Sequence, residues 1–181
     1  MDRSSRIKGV LAGGSDGWEV FHKSRAMIAA GVPVTELTIG EHDIRTAAPI
    51  LQEMHRSALG GHTGYAAVPG TDALRDRIAK RAEERTGVPT TRDNVVVTPG
   101  GQAGLFAAFM AVCDPGDAAL YIDPYYATYP GTLRAAGARA VAVEARADHG
   151  FLPRRADLAA AAEAALIAKN NAATAAAQQA D

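Results

Sequence analysis

Between residues 94 and 144 the hydrophobic pattern switches period several times, and that switching restricts the chain to few folds. Asn94-Val95-Val96-Val97-Thr98 is a β-branched run that leads straight into Pro99-Gly100-Gly101-Gln102, after which residues 103–112 are apolar enough for a buried helix. Residues 118–122 read as a second buried strand ending at Asp123-Pro124, residues 129–136 as a helix and residues 140–144 as a third strand. Near-continuous apolar strands alternating with helices require crossover connections. The expected fold class is therefore α/β, a mostly parallel sheet flanked by helices.

Upstream, Gly13, Gly14 and Gly17 lie in a polar stretch that reads as a mobile arm, and residues 18–30 as a short amphipathic helix ending at Gly31. Val34, Leu37 and Ile39 suggest a short strand or extended link that stops at Gly40. Residues 49–59 look helical and close at Gly60-Gly61. Residues 71–86 form a stronger helical pattern with Leu74, Ile78 and Ala82 on one face, expected to turn inward, and Gly87 as the stop. After Arg155 alanine dominates, with Leu158, Leu166 and Ile167 the only larger apolar residues; alanine favours helix but offers little to pack with.

A chain of 181 residues is long enough to bury a core without disulfides. Its formal net charge of −1 gives no pull toward nucleic acid or anionic lipid, and no stretch approaches the roughly 20 apolar residues of a membrane span. Cys113 is the single cysteine, which leaves no intrachain disulfide and makes a cytoplasmic location the default. His22, His42, His55, His62 and His149 are not at metal-ligand spacing, so no metal site is expected.

In a parallel sheet, ligands bind at the carboxyl ends of the strands. Two such loops are chemically unusual here. In Thr98-Pro99-Gly100-Gly101-Gln102-Ala103-Gly104, glycines permit a sharp turn and let an anion approach the amides of the following helix. A plain strand-to-helix turn would use the same residues. The motif is neither a dinucleotide fingerprint nor a P-loop. In Asp123-Pro124-Tyr125-Tyr126-Ala127-Thr128-Tyr129, aromatic rings follow a strand end, where they either cap the core or stack on a planar ligand. The two loops together point to a planar phosphorylated cofactor.

The order Leu37-Thr38-Ile39-Gly40-Glu41-His42-Asp43, Gly64-Tyr65-Ala66-Ala67-Val68-Pro69-Gly70, Val97-Thr98-Pro99-Gly100-Gly101-Gln102, Asp114-Pro115-Gly116-Asp117 and Pro124-Tyr125-Tyr126 resembles the class I/II pyridoxal-phosphate-dependent aminotransferases. The resemblance runs from about Trp18 to Leu158. It implies an aspartate-aminotransferase-like large domain of PLP fold type I, present here in part. The implied division is an arm and small-domain segment over 1–45, the first part of the cofactor-binding large domain over 46–155, and an alanine-rich tail over 156–181. Pyridoxal 5'-phosphate is the implied cofactor. Gly101, Gln102 and Ala103 are implied to contact its phosphate, Tyr126 to stack on its ring, and Tyr65 to reach a partner subunit's phosphate in a homodimer. Gly40 is implied to meet the substrate carboxylate. The implied substrates are an amino acid and a 2-oxo acid.

The resemblance has gaps. The family's Asn-Pro-Thr-Gly turn would fall near residues 166–175, where this chain has neither proline nor glycine. No lysine stands at the end of a buried strand: Lys8 and Lys23 lie in the arm region, Lys80 on a charged helix face and Lys169 in the alanine-rich tail. The catalytic lysine is thus unassigned, and the chain as written is expected to bind the cofactor weakly and not to transaminate. A non-catalytic phosphorylated-ligand-binding α/β module and a nucleotide-binding α/β domain are the competing expectations.

Overall fold

The computed structural model describes residues 2–10 and 18–178. The arm glycines Gly13, Gly14 and Gly17 and the last three residues of the tail lie outside the described residues. In chain order the elements are α1 (Ser5–Gly9), α2 (Trp18–Ala29), α3 (Ala48–Leu59), α4 (Asp72–Thr86), α5 (Gly101–Val112), β1 (Ala118–Asp123), α6 (Tyr129–Ala135), β2 (Arg139–Glu144) and α7 (Arg155–Gln178). They fall into two compact units, Ile39–Gly104 and Met1–Thr38 with Leu105–Asp181.

The sheet belongs to the second of these units. β1 and β2 pair in parallel, with Ala118 opposite Arg139 and Asp123 opposite Glu144. The Arg139 amide donates to the Asp117 carbonyl and the Ala145 amide to the Asp123 carbonyl, each at 2.7 Å. Because a ladder alternates, Ala119, Tyr121 and Asp123 direct their backbone groups to β2, and Ala118, Leu120 and Ile122 direct theirs to the opposite edge. Among the described residues no third strand pairs with that edge.

Parallel strands need a crossover, and α6 supplies it by burying Pro130, Thr132 and Leu133. Leu133, 2% exposed, packs in a core that includes Ala136, Ala138, Val143 and Ala145. The alanine-rich segment is helical throughout its described length as α7, which lies on both strands with Ala165 buried. Where little packing was expected, the small side chains instead permit close approach. The Arg139 guanidinium donates to the Ala165 carbonyl (3.1 Å), and Lys169 Nζ pairs with Asp117 Oδ1 at 2.5 Å. At the other end of the unit, Glu36 ties an extended link back to α2. It accepts from the buried Ser24 hydroxyl (3.4 Å) and from Thr38 (2.9 Å), and pairs with Arg25 (3.2 Å).

In the unit Ile39–Gly104, α4 ends as its sequence dictates. Gly87 takes a left-handed conformation (φ 69°), and its amide donates to the Glu83 carbonyl. Three expectations are corrected. Residues 94–98 are not a strand: Arg92–Asn94 is a 3-10 turn, and Val95, although extended at φ −122° and ψ 126°, has no ladder partner among the described residues. An extended run becomes a strand only when a neighbour takes up its backbone groups. The apolar face of α4 is not covered, since Leu74 and Ile78 are exposed and only Ala79 is buried. α5 buries no residue, and Phe106 and Met110 remain open. Among the described residues no helix is long and apolar enough to cross a membrane.

Leu133 fills the space between the crossover and the sheet. Leu133→Ala should therefore lower stability by about 3 kcal/mol, the usual cost of emptying a closed site, as measured by urea denaturation. Leu152→Ala, at an exposed position, should change it by less than about 0.5 kcal/mol.

Candidate functional site

The run after Val95 ends in a turn whose shape follows from its glycines. Gly100 sits at φ +87°, a conformation that residues with a Cβ rarely adopt. Its amide donates to the Thr98 carbonyl (2.8 Å) and its carbonyl accepts from the Thr98 hydroxyl (3.0 Å). The same carbonyl accepts the Gly104 amide at 3.3 Å, so α5 begins at Gly101. Gly104 lies against Thr98, where an added Cβ would meet the hydroxyl oxygen at 3.1 Å.

Gly101 is different. It lies outside the left-handed region, and an added Cβ would meet nothing within 4 Å. Neither backbone strain nor packing within the chain demands glycine there; its missing side chain leaves open space before the helix. The Gly101 and Ala103 amides belong to the first turn, which has no carbonyl acceptors within the helix and carries the positive end of its dipole. α5 has no acidic residue in that turn to offset the dipole. Gln102 is exposed and Ala103 half-buried. The arrangement can take an external anion.

Of the six residues singled out from the sequence, Gly101, Gln102 and Ala103 thus share one helical turn. Gly40 and Tyr65 stand on loops of the same unit, outside that turn. An added Cβ at Gly40 would meet nothing within 4 Å, and Tyr65 is fully exposed. Tyr126 belongs to the other unit, in the loop after β1, where its ring lies 5.8 Å from that of Tyr129 at 55° and stays 66% exposed.

Two groups escaped the sequence reading. Tyr121 packs edge-on against Tyr125 at 5.0 Å, and its hydroxyl is pushed above the ordinary phenol range, first by burial and then by the neighbouring Tyr125 and Asp123. An aromatic residue inside an otherwise aliphatic strand was the available signal. Arg75 is only 11% exposed along its side chain and donates to the carbonyls of Val95 (3.0 Å) and Arg92 (2.8 Å). Nothing in the helical charge pattern set it apart from its neighbours. Among the described residues no group of three or more His, Cys, Asp or Glu could hold a metal ion.

The family model described as aminotransferase class I and II matches residues 32–172. The arginine–pyruvate transaminase of Pseudomonas aeruginosa is 36% identical over 88% of this chain and 40% of its own length. The aspartate/prephenate aminotransferase of Thermus thermophilus is 36% identical over 68% of the chain and 32% of its own length. Aspartate aminotransferase from Thermus thermophilus with maleate superposes with a TM-score of 0.81 at 31% identity, over 89% of this chain and 42% of that one. The chain spans about two fifths or less of the length of these relatives.

The lysines are placed where their charge is satisfied. Lys8 pairs with Asp2, Lys80 with Glu84 and Lys169 with Asp117, while Lys23 is exposed on α2. The hydrogen bond from Lys169 holds the Asp117 carboxyl below its usual range, helped by the Asp114 amide, and the same bond raises the Lys169 ammonium above its own. The depressed carboxylate contributes fully above its unfolded value and loses that contribution as pH falls through the lowered one. The raised ammonium contributes fully below its unfolded value and loses that contribution as pH rises through the raised one. A nucleophilic lysine needs the opposite shift. An aldehyde with borohydride at neutral pH should therefore label Lys169 poorly, and Asp117→Asn should increase that labelling several-fold by peptide mapping.

Proposed function

The chain belongs to the class I and II aminotransferase family, and from that membership we propose that it forms the cofactor-phosphate part of a pyridoxal-phosphate-dependent site. The site moves an amino group between an amino acid and a 2-oxo acid. The observation that carries the reading is Gly101: a glycine that the chain's own conformation and packing do not require, at the start of a helix whose first turn bears no acid. The open space there leaves a phosphate free to approach the first-turn amides.

In this reading the Gly101, Gln102 and Ala103 backbone holds the phosphate, with the helix dipole adding about 0.3–1 kcal/mol. Tyr126 presents an aromatic face for the pyridine ring, its tilt fixed by Tyr129. The bound cofactor supplies an electron sink at the substrate's α-carbon. Gly40, with open space where a side chain would stand, admits the substrate carboxylate to backbone groups. Tyr65, fully exposed on its own chain, reaches the phosphate held by a second copy, so the protein is a homodimer. The free thiol of Cys113 accords with a cytoplasmic protein. By itself this chain holds the cofactor without turning it over.

A non-catalytic phosphorylated-ligand module is the second reading, favoured by the ion-paired state of Lys169. Calorimetric titration separates the ligand classes. Pyridoxal phosphate should bind at least about tenfold more tightly than pyridoxal, a difference of about 1.4 kcal/mol. Equal affinities would reject the phosphate assignment, and tighter binding of ATP would reject pyridoxal phosphate as the ligand in favour of a nucleotide. Tyr65→Phe should weaken pyridoxal phosphate binding in the dimer, and sedimentation as a monomer at micromolar concentration would remove that role. Transaminase turnover by this chain alone would reject the claim that it is inactive by itself.

A further inference from the structure

An extended run with no strand beside it has to settle its backbone groups by other means. Three of the contacts that hold residues 92–97 in place bear on their direction. The Val97 amide donates to the Pro69 carbonyl at 2.9 Å. Val97 also presses on Gly70, where φ is +108° and an added Cβ would come within 2.7 Å of Val97 Cγ2. The third contact comes from a side chain. Arg75 Nε donates to the Val95 carbonyl and Arg75 Nη2 to the Arg92 carbonyl, so one guanidinium spans two acceptors three residues apart.

The acids around Arg75 orient it. Asp72 lies 3.5 Å from Nη1 and Asp93 3.6 Å from Nη2, on either side of the fork. Asp72 also pairs with Arg92 at 2.7 Å, which closes the cluster around the 3-10 turn. Val95, 8% exposed, is the buried point on which this clamp acts, and Thr98, whose hydroxyl caps the Gly100 carbonyl, follows three residues later.

We propose that Arg75 is the positioning residue of the phosphate turn: by fixing the carbonyls of Arg92 and Val95 it sets the direction in which residues 98–103 present the first-turn amides of α5. The inference rests on the reading of that turn as the phosphate site. Arg75 acts through the backbone, its fork being taken up by the two carbonyls. A planar fork with donors in fixed directions can bridge two carbonyls, which a lysine ammonium, a compact point charge, cannot do in the same geometry.

The test compares wild type with Arg75→Lys and Arg75→Gln by amide NMR and by titration with pyridoxal phosphate and pyridoxal. Both variants should shift the Gly100, Gly101 and Ala103 amide resonances. Both should reduce the preference for pyridoxal phosphate over pyridoxal about tenfold while leaving pyridoxal affinity unchanged. A purely structural arginine would lower both affinities together, and that result would overturn the proposal. So would unmoved turn amides. A wild type that binds both ligands equally would instead reject the phosphate reading, and the amide shifts would still decide the role of Arg75. If neither variant folds, hydrogen exchange of the Arg75 Nε proton in the wild type decides: slow exchange that responds to added inorganic phosphate supports the clamp, and exchange as fast as in free arginine overturns it.

Discussion

Two parallel strands cannot be joined by a tight turn, and the sheet-bearing unit is organised around that constraint. The chain leaving β1 at Asp123 must travel the length of the sheet before it can enter β2 at Arg139. α6 makes the return and buries Leu133 against the strands as it does so. The tyrosine-bearing loop is the first part of that return, which places Tyr126 at the carboxyl end of β1. α7 can then lie on both strands because its side chains are small.

Much of this was legible in the sequence. Period switching located β1, α6 and β2 to within a residue or two, and glycine marked the end of α4 at Gly87. The family was legible as well, from five short segments in order. What the local pattern could not reveal was pairing. Val95-Val96-Val97 has every local property of a strand, yet strand identity belongs to two segments at once, and among the described residues the second is missing. Burial was misjudged for the same reason. The apolar residues of α4 and α5 indicate a face to be covered without saying whether this chain supplies the cover.

At the candidate site, the glycine turn was visible because its geometry leaves a trace in residue type. Gly100 answers to conformation, and Gly101 is explained by neither strain nor crowding. The clamp of Arg75 left no such trace. A guanidinium that hydrogen-bonds carbonyls 17 and 20 residues away looks, in sequence, like any other charge on a helix face. The acid that pairs with Lys169, 52 residues away in the chain, likewise became identifiable only when distances were known.

The edge of β1 that faces away from β2 has a bearing on how the sheet can extend. The amides and carbonyls of Ala118, Leu120 and Ile122 form a short row of donors and acceptors with no strand against it among the described residues. Such a row is a template for any extended peptide, and the apolar character of Leu120 and Ile122 does nothing to discourage one. Neither lysine nor proline interrupts the strand Ala118–Asp123, the usual means by which an edge is protected. An extended segment laid along this edge would take up those groups, so the free edge of β1 is the side on which the sheet can grow.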